Sequence, residues 1–414
     1  MTERQVSVRM RSYVGLDIGT TKVAAVIAEP DESGALKVVG VGHAPSGGIR
    51  RGVVVDLENT VGSIRTAVAE AERMSGVPVR TVTAGIAGEH VRSINSRGVI
   101  AVSRGGAEIG PDDVARVVEA ARAVAIPGDR EVLHVIPQEY VVDDQAGIKN
   151  PVGMSGVRLE AEVHIVTGAA TSARNVEKAV QRAGLRATSL VLEPLASSSA
   201  VLAADEKELG CLLIDLGGGT TDVALFYEGA VRHTAIIGLG GNNVTHDLAV
   251  GLRTPTESAE ELKIRHGSAV ASRVSPEETV EVPGVGGRES KPIPRQVLAS
   301  MIEPRMEEIF TMVYREVKKN LFSELLAGGV VLTGGGAGLA GVEDLAERIF
   351  EMPVRRGIPR GVVGIREAVE DPRYATAVGL VIYARDKDGE EGFDDPRLLT
   401  RIAAPVRRWL GEFF

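Results

Sequence analysis

Two stretches of the chain share one hydrophobic pattern. Around Asp17-Ile18-Gly19-Thr20-Thr21-Lys22 and Asp215-Leu216-Gly217-Gly218-Gly219-Thr220-Thr221-Asp222, an apolar run carries one aspartate, breaks at glycine and two threonines, and resumes as a second apolar run. Val, Ile and Leu on both sides of a glycine turn predict a β-hairpin, because glycine takes the positive φ that a Cβ penalises. The repetition predicts a chain of two related halves. Between the hairpins the apolar period becomes helical: Val61, Ile64, Val68 and Ala71 within 57–74, stopped by Gly76 and Pro78; Val114, Val117, Val118 and Ala121 behind Pro111; and 175–182 ahead of Gly184. Apolar runs at 132–136 and 162–166 predict strands. Beyond the second hairpin, Leu298, Ile302, Met306, Ile309 and Val313 predict a long helix over 296–317, followed by a strand at 330–332. This alternation predicts α/β layers.

The periodicity lapses twice. Residues 268–294, rich in Pro, Gly and charge, predict loops and short strands of a peripheral subdomain, and 386–397, dominated by Asp and Glu with Gly389, Gly392 and Pro396, predict a flexible acidic linker. The pattern then returns. At about 100° per residue, Leu398, Ile402, Val406, Trp409, Leu410, Phe413 and Phe414 fall on one half of a helix, and Arg401, Arg407, Arg408, Gly411 and Glu412 on the other. Such a helix suits a membrane interface, with Ile402, Val406, Trp409, Leu410, Phe413 and Phe414 at the headgroup boundary and Arg407 and Arg408 near anionic lipid. Pro405 would kink it or set its start. The competing reading, a terminal helix docked on the protein's own core, fits poorly with an acidic linker ahead of it.

Composition narrows the classes. The chain has 414 residues, 44% of them hydrophobic and 25% charged, which suits two or three soluble globular domains. Lys and Arg number 47 against 56 Asp and Glu, a net charge of −9, which argues against nucleic-acid binding. One cysteine, Cys211, forms no intramolecular disulfide, and the seven histidines show no metal-ligand spacing, so a reducing cytoplasm is expected and a structural metal is not. No run of about 18 apolar residues predicts a membrane span.

A polyphosphate needs many donors at close range, and backbone N–H groups in a glycine turn supply them where side chains would block approach. Two such turns facing each other would clamp it, with Gly19, Thr20, Thr21 and Lys22 on one side and Gly217, Gly218, Gly219, Thr220 and Thr221 on the other. Asp17 and Asp215, at matching places, are natural carboxylates for a hydrated Mg²⁺, and either could orient a water. A third cluster, Thr333-Gly334-Gly335-Gly336-Ala337-Gly338, would let a base and ribose lie against the main chain. The chain has no P-loop motif, and the third cluster lacks the glycine order of a dinucleotide fold.

These three clusters, in this order, resemble the actin, sugar-kinase and heat-shock-chaperone ATPase superfamily. Residues 192–202 and 374–382 resemble its two connecting helices. The resemblance implies a duplicated ribonuclease H-like, two-lobed fold; ATP and Mg²⁺ as cofactors; Glu193 positioning a hydrolytic water beside Asp215, with at most slow turnover; and Glu260 and Lys263 at the adenosine. Within the superfamily, His134-Val135-Ile136-Pro137-Gln138-Glu139-Tyr140 and the run from Gly147 to Leu159 resemble the FtsA family of bacterial cell-division proteins. That resemblance implies an inserted 1C-type subdomain at 86–166. The first-lobe core is then 1–85 with 167–205 and 373–385, the second-lobe core 206–235 with 300–372, and the outer subdomain 236–299. After the linker at 386–397 comes a C-terminal amphipathic helix at 398–414. It further implies self-assembly into filaments, the FtsZ C-terminal peptide as partner on the outer subdomain, other division proteins on the insertion, and a place on the cytoplasmic face of the membrane at the division site. A small-molecule kinase and an actin-like scaffold for pilus assembly or cell shape are the alternatives.

Overall fold

In the computed structural model, which describes residues 11–102, 108–319 and 326–393 and side chains as far as Asp388, both hairpins form where the pattern puts them. Strand Tyr13–Ile18 turns through Gly19 and returns antiparallel as Lys22–Pro30, and Leu36–Pro45 extends the meander. On the other side Thr81–Ile86 and then Arg186–Leu192 add parallel, and Val362–Gly364 closes the far edge. The second half repeats this winding. Cys211–Leu216, Thr221–Tyr227 and Ala230–Ile237 form the meander, and Val330–Thr333 and Val354–Arg356 add parallel beyond Cys211–Leu216. Two sheets with one strand order are the duplication expected of an actin-like fold.

Each sheet buries its outer face under its own helices. Leu57–Ser75, capped where Asp56 accepts from the Asn59 N–H at 3.1 Å, and Ala170–Arg182 cover the first; Arg295–Lys319 and Val342–Phe350 cover the second. The inner faces share one core around helices Glu193–Val201 and Ala375–Phe393, whose Leu195, Ala200, Val378 and Val381 cluster with Ala24 and Val26 of the first sheet and Leu213 and Ala224 of the second. These two helices join the lobes.

After Ile86 the chain builds a third sheet, in the order Arg92–Ala101, Arg158–Ala169, Arg130–Val142, Gln145–Ile148. Helix Pro111–Arg122 covers one face, where Ser96 Oγ donates to Ala121 O at 2.8 Å. The residues alternating with Ser96 point the other way, onto Ala230–Ile237, the edge strand of the second lobe. Ser93 Oγ donates to Thr234 O at 2.9 Å, Asn95 Nδ2 to Arg232 O at 3.1 Å, and Gln138 Nε2 to Val231 O at 2.6 Å. Side chains of the insertion thus satisfy carbonyls on the open edge of that sheet. His164, 1% exposed, completes the docking. Its Nδ1 lies 2.7 Å from Asn95 Oδ1, which only accepts, so Nδ1 carries the proton and Nε2 accepts from Thr234 Oγ1 at 2.9 Å.

This ring must stay neutral. Burial lowers its pKa to about 3, with His233 and His134 adding to the effect. The folded-state value lies below the unfolded one, so the ring's contribution is complete above pH about 6.5 and is lost as pH falls toward 3. By pH 5 the loss amounts to about 2 kcal/mol. The raised Asp215 acts in the opposite direction, so the difference between proteins isolates the histidine. In urea unfolding at pH 7 and pH 5, wild type is expected to lose about 2 kcal/mol more than His164→Gln; identical pH dependence would refute the docking role of the neutral ring.

Three expectations need correction. Residues 386–393, read as linker, continue helix Ala375–Phe393. The apolar first turns, with Ala375, Ala377, Val378, Leu380, Val381 and Ile382 buried, form the nucleus, and extension through charged residues is cheap once a nucleus exists. Asp388 accepts from Arg11 at 2.8 Å, which ties down the extension. The long helix starts at Arg295, ahead of the 299/300 division between outer subdomain and second-lobe core. The helix expected at 175–182 starts at Ala170. The remaining linker residues, 394–397, and the tail, 398–414, lie outside the described residues, and with them Ile402, Val406, Arg407, Arg408, Trp409, Leu410, Phe413 and Phe414.

Candidate functional site

The two hairpins point their turns at each other across a cleft of about 520 Å³. The approach is so close that a Cβ on Gly218 would fall 2.3 Å from Thr21 Cγ2, and one on Gly219 2.5 Å from Thr20 Oγ1. Only glycine permits that meeting. Thr20 Oγ1 accepts from the Gly52 N–H at 3.2 Å, and Gly19 N–H donates to Lys22 O at 3.0 Å, which tightens the first turn. Lys22 enters the cleft between Asp17 Oδ2 at 3.4 Å and Arg373 O, to which it donates at 2.5 Å, with its ammonium 4.8 Å from the Tyr374 ring centre. The third glycine turn closes the far wall: Gly334, at φ 79°, lies beside Asp215, and its N–H donates to Pro372 O at 3.2 Å.

Of the residues expected from sequence, Asp17, Gly19, Thr20, Thr21, Lys22, Glu193, Asp215, Gly217, Gly218, Gly219, Thr220, Glu260, Lys263, Gly334, Gly335 and Gly336 line this cleft. Thr221 does not. It is fully buried on the far side of its strand, where its hydroxyl donates to Leu239 O at 2.8 Å, because successive strand residues face opposite ways. Lys263 donates to Glu260 Oε2 at 2.7 Å, Thr245 Oγ1 at 2.8 Å and Gly241 O at 3.1 Å, and burial lowers its pKa against the pull of Glu260.

Four carboxyls gather at the floor, and all are raised. Burial raises Asp17, opposed by Lys22, and raises Asp215 to about 6, opposed by hydrogen bonds from Ser197 and Thr376. Burial, and then repulsion from Asp17, Asp222 and Asp215, puts Glu193 well above the usual carboxylate range; burial and Asp215 do the same to Asp222. Such a group favours a cation in its midst. Asp222 Oδ1 is buried without a protein hydrogen-bond partner among the described residues. Among those residues no three carboxylate, histidine or cysteine side chains converge as direct ligands, so the fit is to a cation that keeps its waters, as Mg²⁺ does.

Sequence reading passed over several lining residues. Asp222 stands in the second motif and was not singled out. Gly240, Gly241 and Asn242 belong to a fourth glycine cluster heading helix Gly241–Leu252, whose Gly241 and Asn242 N–H groups donate to Gly217 O at 2.9 Å and Gly218 O at 2.8 Å. The cluster Gly238-Leu239-Gly240-Gly241 was the available signal. Asp371, Arg373 and Thr376 carried none, since they reach the cleft only through the fold.

Residues 212–379 match the family model for cell division protein FtsA, and residues 88–167 match the model for the SHS2 domain inserted in FtsA. The cell division protein FtsA of Pseudomonas aeruginosa is 50% identical over 380 residues, 92% of this chain and 91% of that protein. The one from Escherichia coli K12 is 42% identical over 406 residues, covering 96% and 95%. Among solved structures, a chain of the PilM-PilN type IV pilus biogenesis complex superposes with TM-score 0.65 at 18% identity, covering 90% of this chain and 98% of that one. MreB 5 of Spiroplasma citri bound to AMPPNP gives TM-score 0.56 at 15% identity, covering 92% and 99%. At those identities the two structures speak for the fold alone.

Proposed function

This chain belongs to the cell division protein FtsA family, and we propose that it binds ATP with Mg²⁺, polymerises on the cytoplasmic face of the membrane at the division site, and tethers FtsZ filaments there. The observation that carries the reading is the cleft, where glycine turns from two duplicated halves meet over four buried carboxyls with Lys22 beside them. The AMPPNP held by MreB 5 on the same fold supports a nucleoside triphosphate as ligand.

In this reading the N–H groups of 20–22 and 217–220 hold phosphate oxygens, the Gly19 N–H being spent on closing its own turn, Lys22 adds a positive charge, and the turn 334–336 lies along the base and ribose beside Glu260 and Lys263. Asp17 and Asp215 hold the water shell of Mg²⁺, which when bound supplies the positive charge that the carboxyls and phosphates need. Glu193 positions the attacking water, and turnover is slow. The C-terminal peptide of FtsZ docks on the outer subdomain, and other division proteins dock on the insertion.

No helix among the described residues is long and apolar enough to cross a membrane. The attachment we propose is peripheral, through 398–414, with polymerisation multiplying many weak anchors into a firm one. Co-sedimentation with anionic vesicles tests it. With Mg-ATP present, the full chain is expected to pellet and a chain ending at Arg397 to stay in solution. Equal pelleting of both would defeat the tail assignment, and a full chain that never pellets would defeat the membrane reading altogether.

A further inference from the structure

The polar contacts between the lobes at the cleft floor converge on one oxygen. Asp215 belongs to strand Cys211–Leu216 of the second lobe, and its Oδ2 accepts from Ser197 Oγ at 2.7 Å and from Thr376 Oγ1 at 3.3 Å, one hydroxyl from each of the two helices joining the lobes. The hydroxyls also lie 3.0 Å from each other. Ser197 is fully buried and Thr376 is 7% exposed.

The neighbours of Ser197 show what an ordinary serine does there. Ser198 and Ser199 both donate back to Leu195 O, at 2.7 and 3.3 Å, as helical serines commonly do. Ser197 turns its hydroxyl out of the helix instead, to a carboxylate of the other lobe. A helix crossing this tight packs alanine as well as serine, and a buried hydroxyl persists where a polar group requires it. The second oxygen, Oδ1, rests against the third glycine turn, where a Cβ on Gly334 would come within 2.2 Å of it.

Resting on the nucleotide reading of the cleft, we infer that Ser197 and Thr376 are positioning residues that hold Oδ2 of Asp215, so that Oδ1 is the oxygen offered to the water shell of Mg²⁺. Because both belong to the helices on which the lobes are joined, the aim of that oxygen follows the angle between the lobes. Ser197 lies outside the cleft lining, and Thr376 borders it with its hydroxyl turned to Oδ2. Their loss should therefore be felt in the Mg²⁺-dependent part of binding alone.

The test is ATP binding to the full chain by calorimetry, once with Mg²⁺ and once with EDTA, for wild type, Ser197→Ala, Thr376→Val, the double variant and Thr376→Ser. In EDTA all five are expected to agree within about twofold. The gain in affinity on adding Mg²⁺ should shrink about tenfold in Ser197→Ala, the low end for a hydrogen bond to a charged group, and about threefold in Thr376→Val, whose bond is longer and weaker. The double variant should lose less than the product of the two, since both serve one oxygen, and Thr376→Ser should bind as wild type does. Equal losses with and without Mg²⁺ would reduce the pair to a structural role and overturn the inference. So would wild-type behaviour in every variant, which would leave the nucleotide reading standing. A wild-type chain that binds ATP in neither condition would bring down that reading, and this inference with it.

Discussion

Gly379→Val is expected to leave no folded protein in the soluble fraction. Gly379 lies where helix Ala375–Phe393 crosses Glu193–Val201, and a Cβ there would sit 1.8 Å from Ala196 O and 2.3 Å from its carbonyl carbon. Those are backbone atoms of a buried helix, so no rotamer change can make room. The crossing is also fixed from behind: a Cβ on Gly15, in the central strand of the first sheet, would lie 2.2 Å from Ala377 O. Forcing the helices apart would open the core that both lobes share, at a cost above about 5 kcal/mol, comparable with the whole stability of many domains. Gly62→Ala is the control. Gly62 sits within helix Leu57–Ser75 with open space where its Cβ would go, and alanine there should stabilise by about 0.5–1 kcal/mol. Soluble yield and thermal midpoint check both, and a Gly379→Val protein melting near wild type would refute the tight crossing.

Lys22→Met is expected to weaken ATP binding at least about a hundredfold. Lys22 stands next to Asp17 and is the cation that offsets the raised carboxyls of the cleft floor. Without it a triphosphate would enter a cleft in which Asp17, Glu193, Asp215 and Asp222 are bonded to no ammonium among the described residues, Lys263 being held by Glu260, and repulsion would add to the lost charge-assisted hydrogen bond. Methionine keeps the length of the side chain and some of its contact with Tyr374, so folding should survive. Calorimetry with Mg-ATP, alongside a melting curve, is the measurement. An affinity within threefold of wild type would mean that Lys22 merely neutralises Asp17.

The parts of this molecule legible in its sequence are those whose cause is local. Glycine beside two threonines between apolar runs makes a hairpin whatever surrounds it, so both turns and most of their cleft residues could be named in advance, as could helix Leu57–Ser75 from Val61, Ile64, Val68 and Ala71. Thr221 misled because its side was judged by motif membership and not by strand alternation. The acidic stretch after Arg385 misled because composition says nothing of a helix already nucleated upstream. Ser93, Asn95 and His164 gave no pattern at all, and Gln138 only a place in a family-like run, since what unites them is the sheet edge they meet after folding. Ser197 and Thr376 were hidden for the same reason: two small polar residues in helices look like solvent-facing positions until the lobes close around them.

The length of helix Ala375–Phe393 has a mechanical meaning. From the crossing at Gly379 to Phe393 it runs about 21 Å, so a rotation of about 10° about the crossing would swing its far end by about 4 Å. It is a lever with its fulcrum in the core the lobes share, about one turn from Thr376 at the cleft, and its tip where the chain continues past Phe393. A stroke started at Asp215 would be delivered at that tip, and a pull on the tip would return as torque on Thr376, since coupling between two sites runs equally in both directions.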